Sequence, residues 1–507
     1  MKFSSKGGRF AVAATVIAAL VVPVTVSSAH AATCGKKTTV TMLGTIKPEI
    51  KDQFLAAVDD YNKSQSCYTL KSIPGDRNLT FLQNVTPMYA AKNAPTIMYT
   101  LQEIPDMADK VMNWSGLRLT HLAPKGLLAA ANVGGKQVGV PSTAEAFGLL
   151  YNKKVLDAAG IDPAAIKTRT DLEAAFKTLQ AKGKKAVHFS AIWWSLGAHF
   201  TNIYHTDAAK THEGRLAVLD GLANGTKDLS ADPVFKNWLA TFDLLKKYNG
   251  SKVNLTDTEY DASVADLASG DYGFMFQGNW TEPNLLGAAG STDFGIMPLP
   301  ISTDAKAYGN DSIPVGVPGY FMVDVVDSTP AQQKGAVDFL TWLYTSPAGQ
   351  HHVADPAGKN GAGGMGFIPV YGNWNVPPTT FMSKKIASFV AANKTLEWIN
   401  TYYPAGLQEA VGKVSMQQYF TDKISASDLA KAIQAAWKGS VPTLASTPLW
   451  FRALWFRALW FRQSAAISLA TSKVYGELSL GSHPYPLEKC EKRRDCRLLS
   501  GPNNGQV

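Results

Sequence analysis

The chain has 507 residues, of which 46% are hydrophobic and 18% charged, so it is long enough for two or three domains with a buried core. Its formal net charge is +9, but residues 1–31 contribute three positive charges and residues 449–507 a net five. The rest of the chain carries only +1, which argues against a nucleic-acid partner.

The N-terminus has the pattern of a secretory signal peptide over residues 1–31. Basic residues precede an apolar run, Phe10–Val26, and the small-residue sequence Ala29-His30-Ala31 follows it. The run is short and contains Pro23, which disfavours a retained membrane anchor. We therefore expect an exported protein that is periplasmic, held at the cell surface or extracellular.

Strand-like and helix-like segments alternate after this leader, which predicts an α/β fold with a largely parallel sheet. The predicted strands are 38–43, 68–73, 96–99, 148–151, 187–190, 272–276, 294–297 and 320–325. The predicted helices are 49–63, 79–93, 171–181, 234–248, 257–268, 331–344, 384–393 and 427–437. Short segments rich in Pro and Gly are expected to carry the chain between two lobes, at 141–145, 297–300 and 344–348.

Two cysteines lie just before the first two predicted strands. If those strands are parallel neighbours, Cys34 and Cys67 lie at the same edge of one sheet, and export provides an oxidising setting for a disulfide. Lipid attachment at Cys34 is the alternative. The residues before Cys34 lack the Leu and small-residue pattern that such processing prefers, so the disulfide is favoured.

The C-terminal residues 449–507 begin with the repeat LWFRALWFRALWFR. A five-residue period keeps its aromatic side chains on one face of neither a helix nor a strand. We expect a disordered or aberrant tail that takes no part in the function, with a membrane-binding or partner-binding arm as the alternative.

Motifs of catalysis and cofactor binding are missing from the sequence. No G-x-S-x-G is present, and the G-x-G-x-x-G at 361–366 lacks the strand before it and the helix after it. The histidines lack the i, i+4 pairing with a carboxylate that zinc enzymes use. We expect no catalytic residue, no metal and no cofactor, although carboxylates are frequent enough for a glycosidase pair to stay open.

Aromatic and amide residues cluster instead at the ends of predicted strands. The buried strand 272–276 is followed by Gly278, Asn279 and Trp280, which places a flat ring at the rim of a sheet, where α/β proteins bind ligands. Trp193 and Trp194 are adjacent, so only one of them can face the core. Rings that stack on apolar faces, beside groups that bind hydroxyls, suit a carbohydrate.

Four segments carry a family resemblance, namely PSTAEAFGLLYNKKVLDAAGID (141–162), LASGDYGFMFQGNW (267–280), FGIMPLP (294–300) and AVDFLTWLYTSPAGQ (336–350). From about residue 38 to 437 the chain resembles bacterial extracellular solute-binding proteins of family 1, the maltose- and oligosaccharide-binding components of ABC importers. The resemblance implies a two-lobed, periplasmic-binding-protein-like α/β fold (type II) with three hinge crossings. The implied lobe 1 is 35–143 plus 299–345, and the implied lobe 2 is 146–296 plus 348–445.

The resemblance also implies ligand-binding roles. Glu145 matches the acid on the hinge side of the family's site, and Glu103 falls where maltose binders carry an Asp. The full set of expected ligand-binding residues is Glu103, Glu145, Trp193, Trp194, Asn279, Trp280, Tyr320 and Trp374. Two departures leave the sugar undefined: a Gln102-Glu103 step replaces His-Asp, and Asn279 rather than Pro precedes Trp280.

The sequence thus predicts a monomeric, exported, non-enzymatic protein that captures a carbohydrate between two lobes and delivers it to the permease subunits of an ABC importer. Two alternatives stay open. A binder of a polyamine or ferric ion would show a ring of acids or paired tyrosines in the cleft. An exported glycoside-processing enzyme would show two opposed carboxylates there.

Overall fold

A computed structural model describes residues 34, 36–44, 47–76, 79–255, 258–289, 293–357, 362–374 and 380–440. The expected signal peptide at 1–31 and the tail at 449–507 lie outside the described residues. No helix in the described ranges combines the length and the apolarity needed to cross a bilayer.

The strands of the described residues fall into two main sheets and one small hairpin. They are β1 Thr38–Gly44, β2 Tyr68–Pro74, β3 Ile97–Thr100, β4 Asn132–Val133, β5 Lys136–Gln137, β6 Val140–Pro141, β7 Glu145–Asn152, β8 Lys185–His188, β9 Tyr272–Gly278, β10 Phe294–Met297, β11 Ile313–Gly316, β12 Tyr320–Val323 and β13 Thr395–Glu397.

The α-helices cover the sheets. They are α1 Lys51–Ser64, α2 Phe81–Ala90, α3 Arg118–Leu122, α4 Lys125–Leu128, α5 Lys153–Ala159, α6 Arg169–Ala181, α7 Thr201–Asp207, α8 His212–Ala223, α9 Pro233–Tyr248, α10 Thr258–Ser269, α11 Glu282–Ala289, α12 Pro330–Thr345, α13 Pro347–Ala354, α14 Phe381–Ala391, α15 Leu407–Glu409, α16 Gln417–Phe420 and α17 Ala426–Trp437. Side-chain caps begin several of them. At α6, Thr168 and Asp171 form a reciprocal capping box.

Lobe 1 is built on a five-stranded sheet with the order β2-β1-β3-β12-β6. β1 pairs in parallel with β2 and with β3, whereas β12 runs antiparallel to its neighbours. The register aligns Thr38 with Tyr68 and so brings Cys34 and Cys67 to one edge of the sheet. The structure joins these two cysteines in a disulfide, with their Cα atoms 4.9 Å apart.

Lobe 2 is built on a sheet with the order β13-β11-β7-β9-β8, to which β10 adds beside β7. Every residue of β7 and β9 is buried, because helices or loops cover both faces of these central strands. The predicted strands at 272–276 and 294–297 correspond to β9 and β10. β9 continues to Gly278, where the chain turns toward the other lobe.

The chain passes between the two sheets first after β6 and again after β11. The second passage lies at 317–319, so the boundary expected at residue 299 falls too early. The segment after Pro298 stays on lobe 2 because Arg169 and Thr241 donate hydrogen bonds to the carbonyl of Ile301, at 2.6 and 3.3 Å. β11 then pairs with β7 and β13.

The third passage also differs from the expected position at 345–348. Pro347 begins α13 instead of carrying the chain away, because Ser346 caps the new helix by accepting from the amide of Gly349 at 3.0 Å. α13 packs against α1 and α12 of lobe 1. The chain reaches lobe 2 only between α13 and α14, which packs on β10.

Candidate functional site

A cavity of about 290 Å³ lies between the two lobes. Its walls come from residues that follow β3, β9 and β13 and from the first residue of β7. The lining residues are Lys47, Glu49, Tyr99, Leu101, Gln102, Glu145, Trp194, Ala198, His199, Tyr260, Trp280, Pro318, Trp398, Asn400 and Gln408. Both lobes therefore contribute to one site, which is close to the size that small ligands fill.

Lobe 1 supplies a polar wall. Lys47 and Glu49 lie at the turn that leads into α1, and Gln102 lies just beyond β3. The side-chain amide of Gln102 donates to the carbonyl of Asn400 and to the side-chain oxygen of Gln408, both at 3.2 Å. Because Asn400 and Gln408 belong to lobe 2, these hydrogen bonds hold the lobes together across the cavity.

A buried ion pair closes the hinge end of the cavity. Glu145, whose side chain is 1% exposed, accepts hydrogen bonds from the ammonium group of Lys47 through both carboxylate oxygens. Burial raises the pKa of the Glu145 carboxyl, and the Lys47 ammonium acts against that rise. The Lys47 side chain is 27% exposed, so the carboxylate is shielded from water more completely than the ammonium group is.

Lobe 2 supplies an aromatic wall. Trp280 lies on the turn after β9, and Gly278 is required there because a Cβ on it would come within 2.0 Å of the Trp280 ring. Trp398 follows β13, and its ring centroid lies 6.1 Å from that of Trp280. The ring of Trp194 lies 5.9 Å from that of Tyr260.

Two crossed π-helical turns, 195–200 and 410–416, position the middle of this wall. They approach so closely that a Cβ on Gly197 would lie 2.0 Å from the carbonyl oxygen of Gln408, and one on Gly412 would lie 2.1 Å from that of Trp193. π-helical turns are rare and are frequent at functional sites. Here the first turn carries His199 and the second follows α15, which carries Gln408, and both side chains line the cavity.

His199 is a neutral ring within the aromatic wall. Its centroid lies 4.8 Å from Trp280, 4.9 Å from Phe147 and 5.5 Å from Trp398. Burial, helped by the Lys47 ammonium, lowers the pKa of His199 to about 3. The imidazole therefore offers hydrogen-bonding capacity without charge at neutral pH.

Several buried polar atoms of the lining have no hydrogen-bond partner among the described residues. They are Glu49 Oε2, His199 Nδ1, the Tyr260 hydroxyl, Trp398 Nε1 and Asn400 Oδ1. Buried polar groups are normally satisfied, so such atoms around one cavity indicate a place for a polar ligand. They provide both donors and acceptors, which is what a polyhydroxylated molecule requires.

Three of the sequence-predicted site residues line the cavity, namely Glu145, Trp194 and Trp280. Trp280 is a wall element and not an open platform. It is 3% exposed, with the ring of His199 beside it and the Lys47 ammonium 5.0 Å from its centroid. Asn279 lies behind it and accepts from the amide of Ala146 at 2.8 Å, which ties the turn to β7.

The other predicted residues do not line the cavity. Glu103 is buried in lobe 1, where its carboxylate accepts from the Thr100 hydroxyl. Trp193 lies under the ammonium of Lys413, which is 5.0 Å from its ring centroid. Tyr320 is a core residue of lobe 1 that donates to the carbonyl of Leu127 at 2.7 Å, and Trp374 packs half-buried against the main core.

Sequence reasoning missed most of the polar wall and part of the aromatic wall. Lys47 and Glu49 belong to no motif of the sequence, and Glu49 stands only at the start of the predicted helix 49–63. Trp398 follows a three-residue strand, which is too short for a periodic signal. Within the described residues, no three His, Cys, Asp or Glu side chains gather in a way that could hold a metal ion.

Comparison with protein families identifies a family for this chain. The model for a bacterial extracellular solute-binding protein family matches residues 56–361, which is more than half of the chain. A comparison of the sequence with curated proteins gives no match.

Comparison with solved structures finds many two-lobed sugar-binding proteins. The solute-binding protein RafE in complex with raffinose has a TM-score of 0.64 and 15% identity, covering 79% of this chain and 99% of that one. The GacH receptor of Streptomyces glaucescens, solved unliganded and with acarbose, has a TM-score of 0.63 and 16% identity, covering 81% and 100%. A family 1 extracellular solute-binding protein from Bifidobacterium longum subsp. infantis has a TM-score of 0.56 and 22% identity, covering 80% and 99%. At these identities the likeness establishes the fold.

Proposed function

The chain belongs to the bacterial extracellular solute-binding protein family, and from this premise we propose that it captures a carbohydrate in its interlobe cavity and delivers it to an ABC importer. Oligosaccharides are the favoured ligands. The neighbours in fold support this choice, because they include proteins that bind raffinose, chitin oligosaccharides and maltose.

The observation that carries the proposal is the division of the cavity between rings and polar groups. Trp194, Tyr260 and Trp398 present aromatic surface from lobe 2, while Glu49 and Gln102 present acceptors and donors from lobe 1. A pyranose has the matching chemistry, with apolar C–H faces that stack on rings and hydroxyls at its edge.

The proposed mechanism is capture without chemistry. A ligand that contacts both walls binds the closed arrangement more tightly than an open one and so shifts the equilibrium toward closure. The permease would then recognise the closed form. Glu145 is held by Lys47 across the hinge, which suits a structural or binding role better than proton transfer to a substrate.

We further propose that the protein is exported and acts as a monomer outside the cytoplasm. The leader-like pattern at 1–31 and the family support export. The predicted partners are the carbohydrate and the permease subunits of the importer.

The proposal is tested by thermal-shift and calorimetric titration against mono-, di- and trisaccharides, with spermidine and ferric citrate as comparison ligands. We expect at least one saccharide to raise the midpoint of unfolding and to bind at a one-to-one ratio. Stabilisation by spermidine or ferric ion, with no response to any saccharide, would overturn the carbohydrate proposal in favour of the alternative ligand class.

A further inference from the structure

We propose that the saccharide carries a protonated amine and that Glu49 is the carboxylate that binds it. This inference rests on the proposed function and adds the charge of the ligand. It follows from the charge balance of the cavity, the position of Glu49 and the rings around it.

The acidic and basic side chains that line the cavity do not cancel in charge. Glu49 and Glu145 are acids, and Lys47 is the one Lys or Arg among the lining residues of the described cavity. His199 is neutral, since its pKa is about 3. Lys47 is bound to Glu145, so the lining carries one negative charge in excess when Glu49 is ionised, with the neutral Tyr260 hydroxyl and the more distant charge of Lys47 as its neighbours.

Glu49 is placed to receive a ligand. It is 8% exposed, it lines the cavity, and its Oε2 has no hydrogen-bond partner among the described residues. Burial raises the pKa of its carboxyl. The hydroxyl of Tyr260, as a neighbouring hydrogen-bond donor, and the positive charge of Lys47 act against that rise. A buried carboxylate in this position is stabilised most by a cation that arrives with hydrogen-bond donors.

The site already accommodates one ammonium group. The Lys47 nitrogen lies 5.0 Å from the ring centroid of Trp280 and 5.6 Å from that of Phe367, while Glu145 accepts its hydrogen bonds. This combination of carboxylate and aromatic faces is the environment in which cations bind in proteins. Glu49 lies beside Tyr260, and the ring of Trp194, 5.9 Å from that of Tyr260, lines the same cavity.

A neutral sugar and an amino sugar therefore have different consequences. A neutral sugar that closes the cavity leaves Glu49 buried and uncompensated, so that its binding requires uptake of a proton. An amino sugar brings the cavity to neutrality, and the carboxylate stays ionised. The charge of the ligand is thus the property on which the site discriminates.

The experiment is calorimetric titration of the intact protein with pairs of sugars that differ in one substituent. The pairs are glucosamine with glucose, galactosamine with galactose, and the glucosamine dimer with cellobiose, at a pH of about 6.5. We expect an amino sugar to bind about ten-fold or more tightly than its neutral partner. Titrations in two buffers of different ionisation enthalpy measure the protons taken up.

Glu49→Gln should remove the preference for the amine, while Glu282→Gln, which changes a buried carboxyl outside the cavity, should retain it. A midpoint of unfolding for each variant verifies that it is folded, and the proton count of the parent protein tests the inference without any variant. Equal or tighter binding of the neutral partner would overturn this inference and leave the proposed function standing. The absence of binding by every sugar would overturn both.

Discussion

The two walls of the interlobe cavity differ in chemistry. The lobe 1 wall holds charge and hydrogen-bonding groups, Lys47, Glu49 and Gln102, on the segments that follow β1 and β3. The lobe 2 wall holds rings, including Trp280 and Trp398, on the turns that follow β9 and β13. Because most of the rings lie on lobe 2, whereas Lys47 and Glu49 lie on lobe 1, a ligand meets both kinds of contact in full only when the lobes are together.

The difference assigns separate roles to the lobes. Aromatic rings contribute area and shape and tolerate many sugars, whereas buried charges discriminate strongly because an unmatched charge is costly. We therefore expect substitutions in the lobe 2 wall to weaken binding in general. Substitutions in the lobe 1 wall should change which ligand is preferred.

The largest effect should come from breaking the ion pair that joins Lys47 of lobe 1 to Glu145 of lobe 2. Lys47→Met leaves the Glu145 carboxylate buried and unpaired, and we expect a loss of about 4 kcal/mol in unfolding free energy at pH 8. Burial raises the pKa of Glu145, so the folded variant retains a proton that the unfolded chain releases, and the loss should shrink as the pH falls. Urea unfolding at pH 5 and at pH 8 measures it.

The matched control is Glu145→Gln. It leaves Lys47 unpaired, but a side chain already 27% exposed can turn toward water, so the loss should be smaller. A larger loss in Glu145→Gln than in Lys47→Met would show that the carboxylate is not the strained partner of the pair.

A second test concerns the scaffold behind the aromatic wall. Glu282 begins α11, just after the Trp280 turn, and accepts from the amide of Met382 at 3.2 Å. Burial raises its pKa to about 7. Between the ordinary pKa of 4.5 and this value the folded protein holds a proton that the unfolded chain has lost, so stability falls as the pH rises through that window.

Glu282→Gln should remove this loss. Relative to the parent, its unfolding free energy should be similar near pH 4.5 and higher by on the order of 3 kcal/mol at pH 8. Sugar affinity should be unchanged, because Glu282 does not line the cavity. A difference in stability that does not vary with pH would contradict the assignment.

The adjacent residues Trp193 and Trp194 provide a matched pair for the aromatic wall. Trp194 lines the cavity and Trp193 does not. Trp194→Ala should weaken binding of the best saccharide by about 2 kcal/mol, or roughly thirty-fold. Trp193→Ala should leave the affinity within about two-fold, by calorimetry. Comparable losses in both variants would mean that the ring of Trp193 also meets the ligand.

The smallest effect should come from the hydrogen bonds between the walls. Gln102→Ala removes two hydrogen bonds to lobe 2. The free-energy difference between the closed and the more open form of the unliganded protein should therefore shift by about 1 kcal/mol in favour of the open form. Small-angle scattering should then show a larger radius of gyration without ligand and the parent value with it. Gln137→Ala, which affects bonds within lobe 1 only, is the control.

Much of the fold was predictable because it depends on local patterns. The buried runs that became β9 and β10, and the helix periodicity of α9 and α12, are strong signals over consecutive residues. The lobe boundaries were less predictable. A proline such as Pro347 is typical both of a connection that follows a helix and of the first turn of a new helix. The cap from Ser346 is what distinguishes the two.

The candidate site was predictable only in part, since it is assembled from loops far apart in the sequence. Glu145 and Trp280 follow or begin strong strands, so their positions at a sheet rim could be inferred. His199 belongs to no motif of the sequence, and the rings of Phe147 and Trp398 that lie beside it come from distant positions that no spacing reveals. Trp374, which packs half-buried against the main core, shows that loop composition does not distinguish a cavity from the flank of a core.

The most direct test of the account is a crystal structure of the protein with the saccharide that stabilises it most. We predict one sugar between the lobes, with a ring stacked on the lobe 2 aromatic wall and a polar group within hydrogen-bond distance of Glu49. A sugar bound outside this cavity, or bound within it through lobe 1 alone, would contradict the division of roles between the two walls.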